Sequence, residues 1–137
     1  MYLFDTDTLS NLLCRQPSIQ LLRRLSEVPV EAQFTSSITV GELYYGIHKS
    51  SGTKELREKL EKLVWPRVQT LPFDLEAATV YGRIRSDLEK KGQPLSDPDL
   101  MIASIALAHD LTLITGNTKH FERIEGLRIE NWLESQL

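Results

Sequence analysis

The sequence is poor in cysteine, in charge of one sign and in long apolar runs, and each shortage narrows what the protein can be. Cys14 is the single cysteine among 137 residues, so no internal disulfide can form. A lone thiol fits a reducing, cytoplasmic compartment, and a small buried core thiol is its simplest role. Lysine and arginine number 16 against 19 aspartates and glutamates, for a formal net charge of −3. With no basic tail, that balance argues against a protein that coats nucleic acid through a wide positive surface. It leaves room for an enzyme that grips a short stretch of nucleic acid, because a bound cation inverts the local field. No apolar stretch approaches the roughly 20 residues of a membrane span. An acid at position 5, with no basic segment before it, argues against a signal peptide. Linkers, repeats and low-complexity segments are missing too, so one domain over residues 1–137 is expected.

What is present starts at once. Tyr2, Leu3 and Phe4 form an apolar run that stops on Asp5. Short continuous runs of this kind are strands of a parallel sheet, covered by helices on both faces. Asp5 then stands at the carboxyl end of the strand, the edge where open α/β sheets bind ligands. Asp5 or Asp7 is equally suited to cap the next helix, and both roles stay open here.

Leu9, Leu12 and Leu13 predict a helix over Thr8 to Arg15, ended by Pro17. Ser18 caps a second, with Ile19, Leu22 and Leu25. Phe34 to Ser37 reads as a second strand. Thr39 is placed to cap a third helix whose stripe is Val40, Leu43, Tyr44 and Ile47. Glu42 falls off that stripe, in the first turn, where the helix dipole favours an acid. Lys54 to Trp65 is a charged helix with Leu56, Leu60, Leu63 and Val64 on one face. Gln69 to Leu71 is a third strand, and Asp74 caps a long helix to about Lys91. Pro98 suits the first position of a helix, which makes Asp97 its cap and puts Asp99 in its first turn. Leu111 to Thr115 is a fourth strand, followed by the polar loop Gly116 to His120. Leu127 to Ile129 is a short fifth strand. This order predicts an α/β/α sandwich of three layers on a short, mostly parallel sheet.

Asp5, Glu42 and Asp99 can all reach one sheet edge. Carboxylates packed together raise one another's pKa unless a cation joins them. Hard oxygen donors, with no clustered cysteine and only scattered histidine, point to Mg2+ or Mn2+ rather than zinc. Two such ions about 4 Å apart suit hydrolysis of a phosphodiester, one activating water and both clamping the in-line transition state. Thr6, Thr115 and Asn117 are placed to orient the carboxylates or bind phosphate oxygens.

Four stretches then carry a likeness, in order and over nearly the whole chain. They are Tyr2-Leu-Phe-Asp5-Thr6, Thr39-Val-Gly-Glu42-Leu-Tyr-Tyr-Gly46, Pro98-Asp99-Leu-Met-Ile-Ala103 and Ile114-Thr115-Gly-Asn117-Thr-Lys-His-Phe121. Together they resemble the motifs of PIN-domain ribonucleases, in particular the VapC-like toxins of toxin–antitoxin pairs. The resemblance implies a Mg2+- or Mn2+-dependent endoribonuclease acting on tRNA or ribosomal RNA. It implies a VapB-like antitoxin protein as partner, and a homodimer. It carries the acidic centre onto Asp5, Glu42 and Asp99, with Asn117 assisting. The chain departs from the pattern twice. His120 stands where the family often has an acid, which bears on a full second metal site. Asp97 is the nearest substitute, and His120 itself is a candidate phosphate contact. Asp7 stands where the family often has a neutral polar residue.

A rival likeness is to phosphatases of the haloacid-dehalogenase type, with Asp5 as nucleophile in Asp5-Thr-Asp7 and Ile114-Thr115 as a second motif. That family needs an acidic pair after the second motif, whereas Asp97 and Asp99 precede it. Leu9 and the lack of a cap domain also depart from it. A third reading is a non-catalytic partner-binding module, with His120 marking a decayed site.

Overall fold

β1 (Tyr2–Phe4) is the middle strand of a five-stranded sheet ordered β3-β2-β1-β4-β5. The computed structural model describes residues 1–134. Its other strands are β2 (Gln33–Ser36), β3 (Gln69–Leu71), β4 (Thr112–Ile114) and β5 (Ile129–Glu130). All four pairings are parallel, with Leu3 beside Phe34 and Leu113. The fold is therefore α/β with a wholly parallel sheet. Parallel strands need crossovers, and the helices supply them. These are α1 (Thr6–Leu13), α2 (Ile19–Glu27), α3 (Ser37–Lys49), α4 (Thr53–Lys59), α5 (Leu75–Lys90), α6 (Asp97–Ala108) and the short α7 (Thr118–Phe121).

Alternation along the strands splits the core in two. Leu3 and Leu113 pack on one face with Ile84 and Leu88 of α5 and Ile102 and Ile105 of α6. Phe4 and Ile114 pack on the other with Leu9, Leu21, Leu43, Leu60 and Trp132. Leu3, Phe4, Leu113 and Ile114 are fully buried. Burying each is worth about 2 kcal/mol, so strands of only three residues are held by their side chains more than by their ladders. Among the described residues no helix is long and apolar enough to cross a membrane.

The helix caps depart from the sequence reading in a consistent way. α1 starts at Thr6, not Thr8, because Asp5 is its cap and accepts from Thr6 N at 2.7 Å. α3 is capped by Ser36, whose Oγ accepts from Thr39 N at 3.0 Å, so Thr39 lies inside the helix. Strand β2 runs into α3 with no loop, which moves Glu42 from the first turn to the second. α6 is capped by Ser96, accepting from Asp99 N, and Asp97 becomes its first residue. Asp74 does cap α5. The charged helix passes from α4 into a π-helical turn over Leu60–Val64. That turn changes the period, so Leu60 and Val64 are buried while Leu63 is 58% exposed. Cys14 is not core: it is exposed at the end of α1, and its thiol donates to Asn11 O.

Candidate active site

Strand order places a crevice before any side chain is considered. From β1 the chain crosses to β2 on one side, while β4 and β5 lie on the other. Sheets that reverse direction in this way open a cleft outside the carboxyl ends of the two strands at the switch. Here those strands are β1 and β4, and the residues that follow them are Asp5 and Thr115.

Asp5 is held in that cleft by two donors. Thr6 N donates to Oδ1, and Thr115 Oγ1 donates to Oδ2 at 2.8 Å. The residue is only 6% exposed. Burial pushes its carboxyl up from 3.8 to about 7, and the charges of Asp7 and Asp99 push the same way. The bonds from Thr115 and Thr6 pull against this, without offsetting it. The capping role of Asp5 is therefore present, and the same carboxyl stands at the carboxyl end of β1.

The other residues named from the sequence join this centre through hydrogen bonds, except Asp99, which is reached only by a longer contact from His120. On one side, Thr6 Oγ1 donates to Glu42 Oε1 at 2.6 Å and lies 3.1 Å from Thr39 Oγ1. On the other, Asn117 N donates to Thr115 Oγ1 at 3.0 Å. The Asn117 side-chain amide meets His120 Nδ1 at 2.8 Å, and that nitrogen lies 3.9 Å from Asp99 Oδ2. Glu42, Thr6, Asp5, Thr115, Asn117, His120 and Asp99 thus form one continuous path around the cleft. Asp97 stands apart: its Oδ1 accepts from Tyr81 at 2.8 Å and lies 3.5 Å from Arg85. It does not replace an acid at position 120.

Two residues escaped the sequence reading. Thr39 looked like a cap and instead supports Thr6. Asp7 looked like a candidate helix cap and a departure from a motif, and Asp5 takes the cap instead. Asp7 Oδ2 accepts from Gly116 N at 2.9 Å, across the cleft from α1 to the loop after β4. Among the described residues, no three His, Cys, Asp or Glu side chains are gathered closely enough to hold an ion by themselves.

After β4 the chain offers Gly116, Asn117, Thr118, Lys119 and His120, with no carboxylate. The acidic pair required by the phosphatase reading is therefore missing from the place where it would act. The PIN domain family model matches residues 2–127. Ribonuclease VapC2 of Rickettsia felis is 33% identical, covering 96% of this chain and 98% of that protein. The tRNA(fMet)-specific endonuclease VapC of Salmonella typhimurium is 34% identical, covering 96% and 97%. Among solved structures, VapBC2 from Rickettsia felis bound to a promoter DNA fragment contains a chain that superposes with a TM-score of 0.89. That chain is 32% identical, with 96% of this chain and 98% of the other covered. On sequence and on architecture alike, this chain belongs to the PIN-domain family, within its VapC branch.

Proposed function

We propose that the protein is a divalent-metal-dependent endoribonuclease, the toxin of a toxin–antitoxin pair, with Asp5, Glu42, Asp99 and Asn117 as its working residues. The observation that carries the reading is the buried Asp5 carboxyl, raised to about 7 beside Asp7 and Asp99 at the switch of the sheet. Such a group is relieved by a cation. Mg2+ is usually bound through one or two carboxylates with water completing the shell. Asp5 and Asp99 meet that requirement with hard oxygens, so the donor set fits Mg2+ or Mn2+ without a third acid in the cluster. A bound ion supplies Lewis acidity, making water a better nucleophile and neutralising charge on the scissile phosphate.

The remaining work falls to the chain. Thr115 and Thr6 fix the orientation of the Asp5 carboxylate. Thr6 also fixes Oε1 of Glu42, which is exposed and placed to orient the attacking water. The Asn117 amide holds His120, which lies 3.9 Å from Asp99 and would meet phosphate oxygens of a bound RNA. Initiator tRNA is the first substrate to try, because the Salmonella typhimurium relative is named for it. Incubation of purified protein with tRNA and Mg2+ or Mn2+ should give products with 5′-phosphate and 3′-hydroxyl ends, and EDTA should stop the reaction. Ends bearing 2′,3′-cyclic phosphate, or cleavage that persists in EDTA, would replace this mechanism with attack by the RNA's own 2′-hydroxyl.

The partner is a VapB-like antitoxin. An apolar groove of about 360 Å³ opens on the α1 and α2 side, lined by Leu9, Leu12, Leu22, Leu25, Leu63 and Val64. Leu13 faces the core instead, with Leu9 shared between core and groove. An amphipathic helix laid into such a groove is a standard mode of peptide capture. A basic side chain beyond that helix then reaches Asp5 and Asp99 and takes the place of the ion, arginine being best suited to a carboxylate. Titrating antitoxin into Mn2+-loaded protein should release metal as cleavage stops. Tight binding with unchanged metal affinity and continued cleavage would remove inhibition by site occupation.

A further inference from the structure

Asp7 makes one firm bond across the sheet edge. Its Oδ2 accepts from Gly116 N at 2.9 Å, and its Oδ1 lies 3.3 Å from Thr8 Oγ1 and 3.5 Å from Thr115 Oγ1. The contact with Gly116 joins residues 109 apart in sequence. A Cβ added at Gly116 would lie 2.9 Å from Asp7 Oδ2 and 2.9 Å from Leu133 Cδ1, so the Asp7 carboxylate and the Leu133 side chain would both have to shift to admit it. Gly116 stands between Thr115, which donates to Asp5, and Asn117, which holds His120 beside Asp99.

We propose that Asp7 is a positioning residue: by gripping Gly116 it pins the loop between β4 and α7 to the first turn of α1, and so sets where Thr115 and Asn117 meet Asp5. The inference rests on the nuclease reading above. The Gly116 N–H occupies Oδ2, while the Thr8 and Thr115 hydroxyls near Oδ1 have shorter contacts to Ile114 O and Asp5 Oδ2. On this view the acceptor matters and the charge does not. Asparagine keeps an acceptor oxygen at the same reach, and alanine removes it.

The test compares cleavage of a fluorophore–quencher RNA oligonucleotide in Mn2+ by wild type, Asp7→Asn, Asp7→Ala and Gly116→Ala, with Asp5→Asn as control. Hydrogen exchange at the Gly116 amide is followed alongside. Asp7→Ala and Gly116→Ala should lower kcat by roughly 10- to 100-fold, the usual loss when a supporting contact is removed from a metal or catalytic group. KM should stay within about threefold, since the contact does not touch substrate. Asp7→Asn should recover most of the lost kcat. The Gly116 amide should exchange slowly in wild type and Asp7→Asn, and fast in Asp7→Ala. Asp7→Asn as inactive as Asp5→Asn would overturn the proposal in favour of a charge requirement, and so would wild-type kcat in Asp7→Ala. If Asp7→Ala does not fold, free exchange of the Gly116 amide in wild type still refutes the clamp, and slow exchange with an active Asp7→Asn upholds it. Cleavage by Asp5→Asn itself would instead remove the nuclease assignment, leaving the clamp to be judged on exchange alone.

Discussion

Asp5→Asn is expected to abolish RNA cleavage and, at pH 8 in EDTA, to make the protein more stable than wild type. The two effects share one cause. The carboxylate is buried beside Asp7 and Asp99, and its charged form is held there at a penalty. Replacing it with an amide of the same shape removes the penalty. The new oxygen still accepts from Thr6 N, and the new N–H can donate to Thr115 Oγ1 in place of the bond that is lost. On the proposed mechanism the same change removes a negative ligand for the ion. Neutralising charge at the phosphate is worth several kcal/mol, and each 1.36 kcal/mol is tenfold in rate, so the loss should be roughly a thousandfold or more. Asp99→Asn should lose activity to a similar degree with little change in stability, because Asp99 keeps about a quarter of its side chain in water. Cleavage rates and melting temperatures of the two variants check this. Either variant cutting RNA at the wild-type rate would end its assignment as a working residue. Loss of activity that tracks loss of folding in Asp5→Asn would make Asp5 a structural cap and no more.

The parts of this fold that could be read from sequence are those where one physical signal acts alone. Tyr2 to Phe4 is an apolar run closed by an acid, and β1 follows it without error. Ser18 and Asp74 each stand as a single good cap before an apolar stripe, and each caps its helix. Where two capping residues compete, the local pattern misled. Ser36 and Thr39, or Ser96 and Asp97, are chemically equivalent as acceptors. The choice is made by which residue ends in extended backbone, as Ser36 does at the end of β2 and Ser96 does in the loop after α5. Leu63 was misplaced because a π-helical turn breaks the 3.6-residue period from which its burial was inferred. α7 spans four residues, too short for any period to show. At the site, the position of Asp5 was legible because it follows the apolar run of β1 directly. The role of Asp7 was not legible. Its partner is a backbone N–H more than a hundred residues away, and a backbone amide has no sequence signal.

Metal-free wild-type protein should lose stability steadily as pH rises from about 4 to about 7, then level off. In the unfolded chain the Asp5 carboxyl ionises near 3.8, and in the folded chain near 7. Below both values each state holds the proton, and Asp5 adds nothing to the pH dependence. Between them the folded state still binds the proton that the unfolded state has released, so stability falls with rising pH. Above 7 both are ionised and the full penalty is in place. A carboxyl raised from 3.8 to about 7 corresponds to about 4 kcal/mol. For a chain of this size it lowers the melting temperature by about 10 °C or more. Metal reverses the trend, because its carboxylate ligands must be deprotonated to bind. Added Mn2+ should raise the melting temperature strongly at pH 8 and hardly at all at pH 5. Calorimetry from pH 4 to 8, in EDTA and then in Mn2+, tests both arms against Asp5→Asn, whose curve should lack the slope and respond less to metal. Parallel curves for wild type and Asp5→Asn in EDTA would show that Asp5 ionises normally in the fold. The cleft would then hold no stored charge for a cation to relieve.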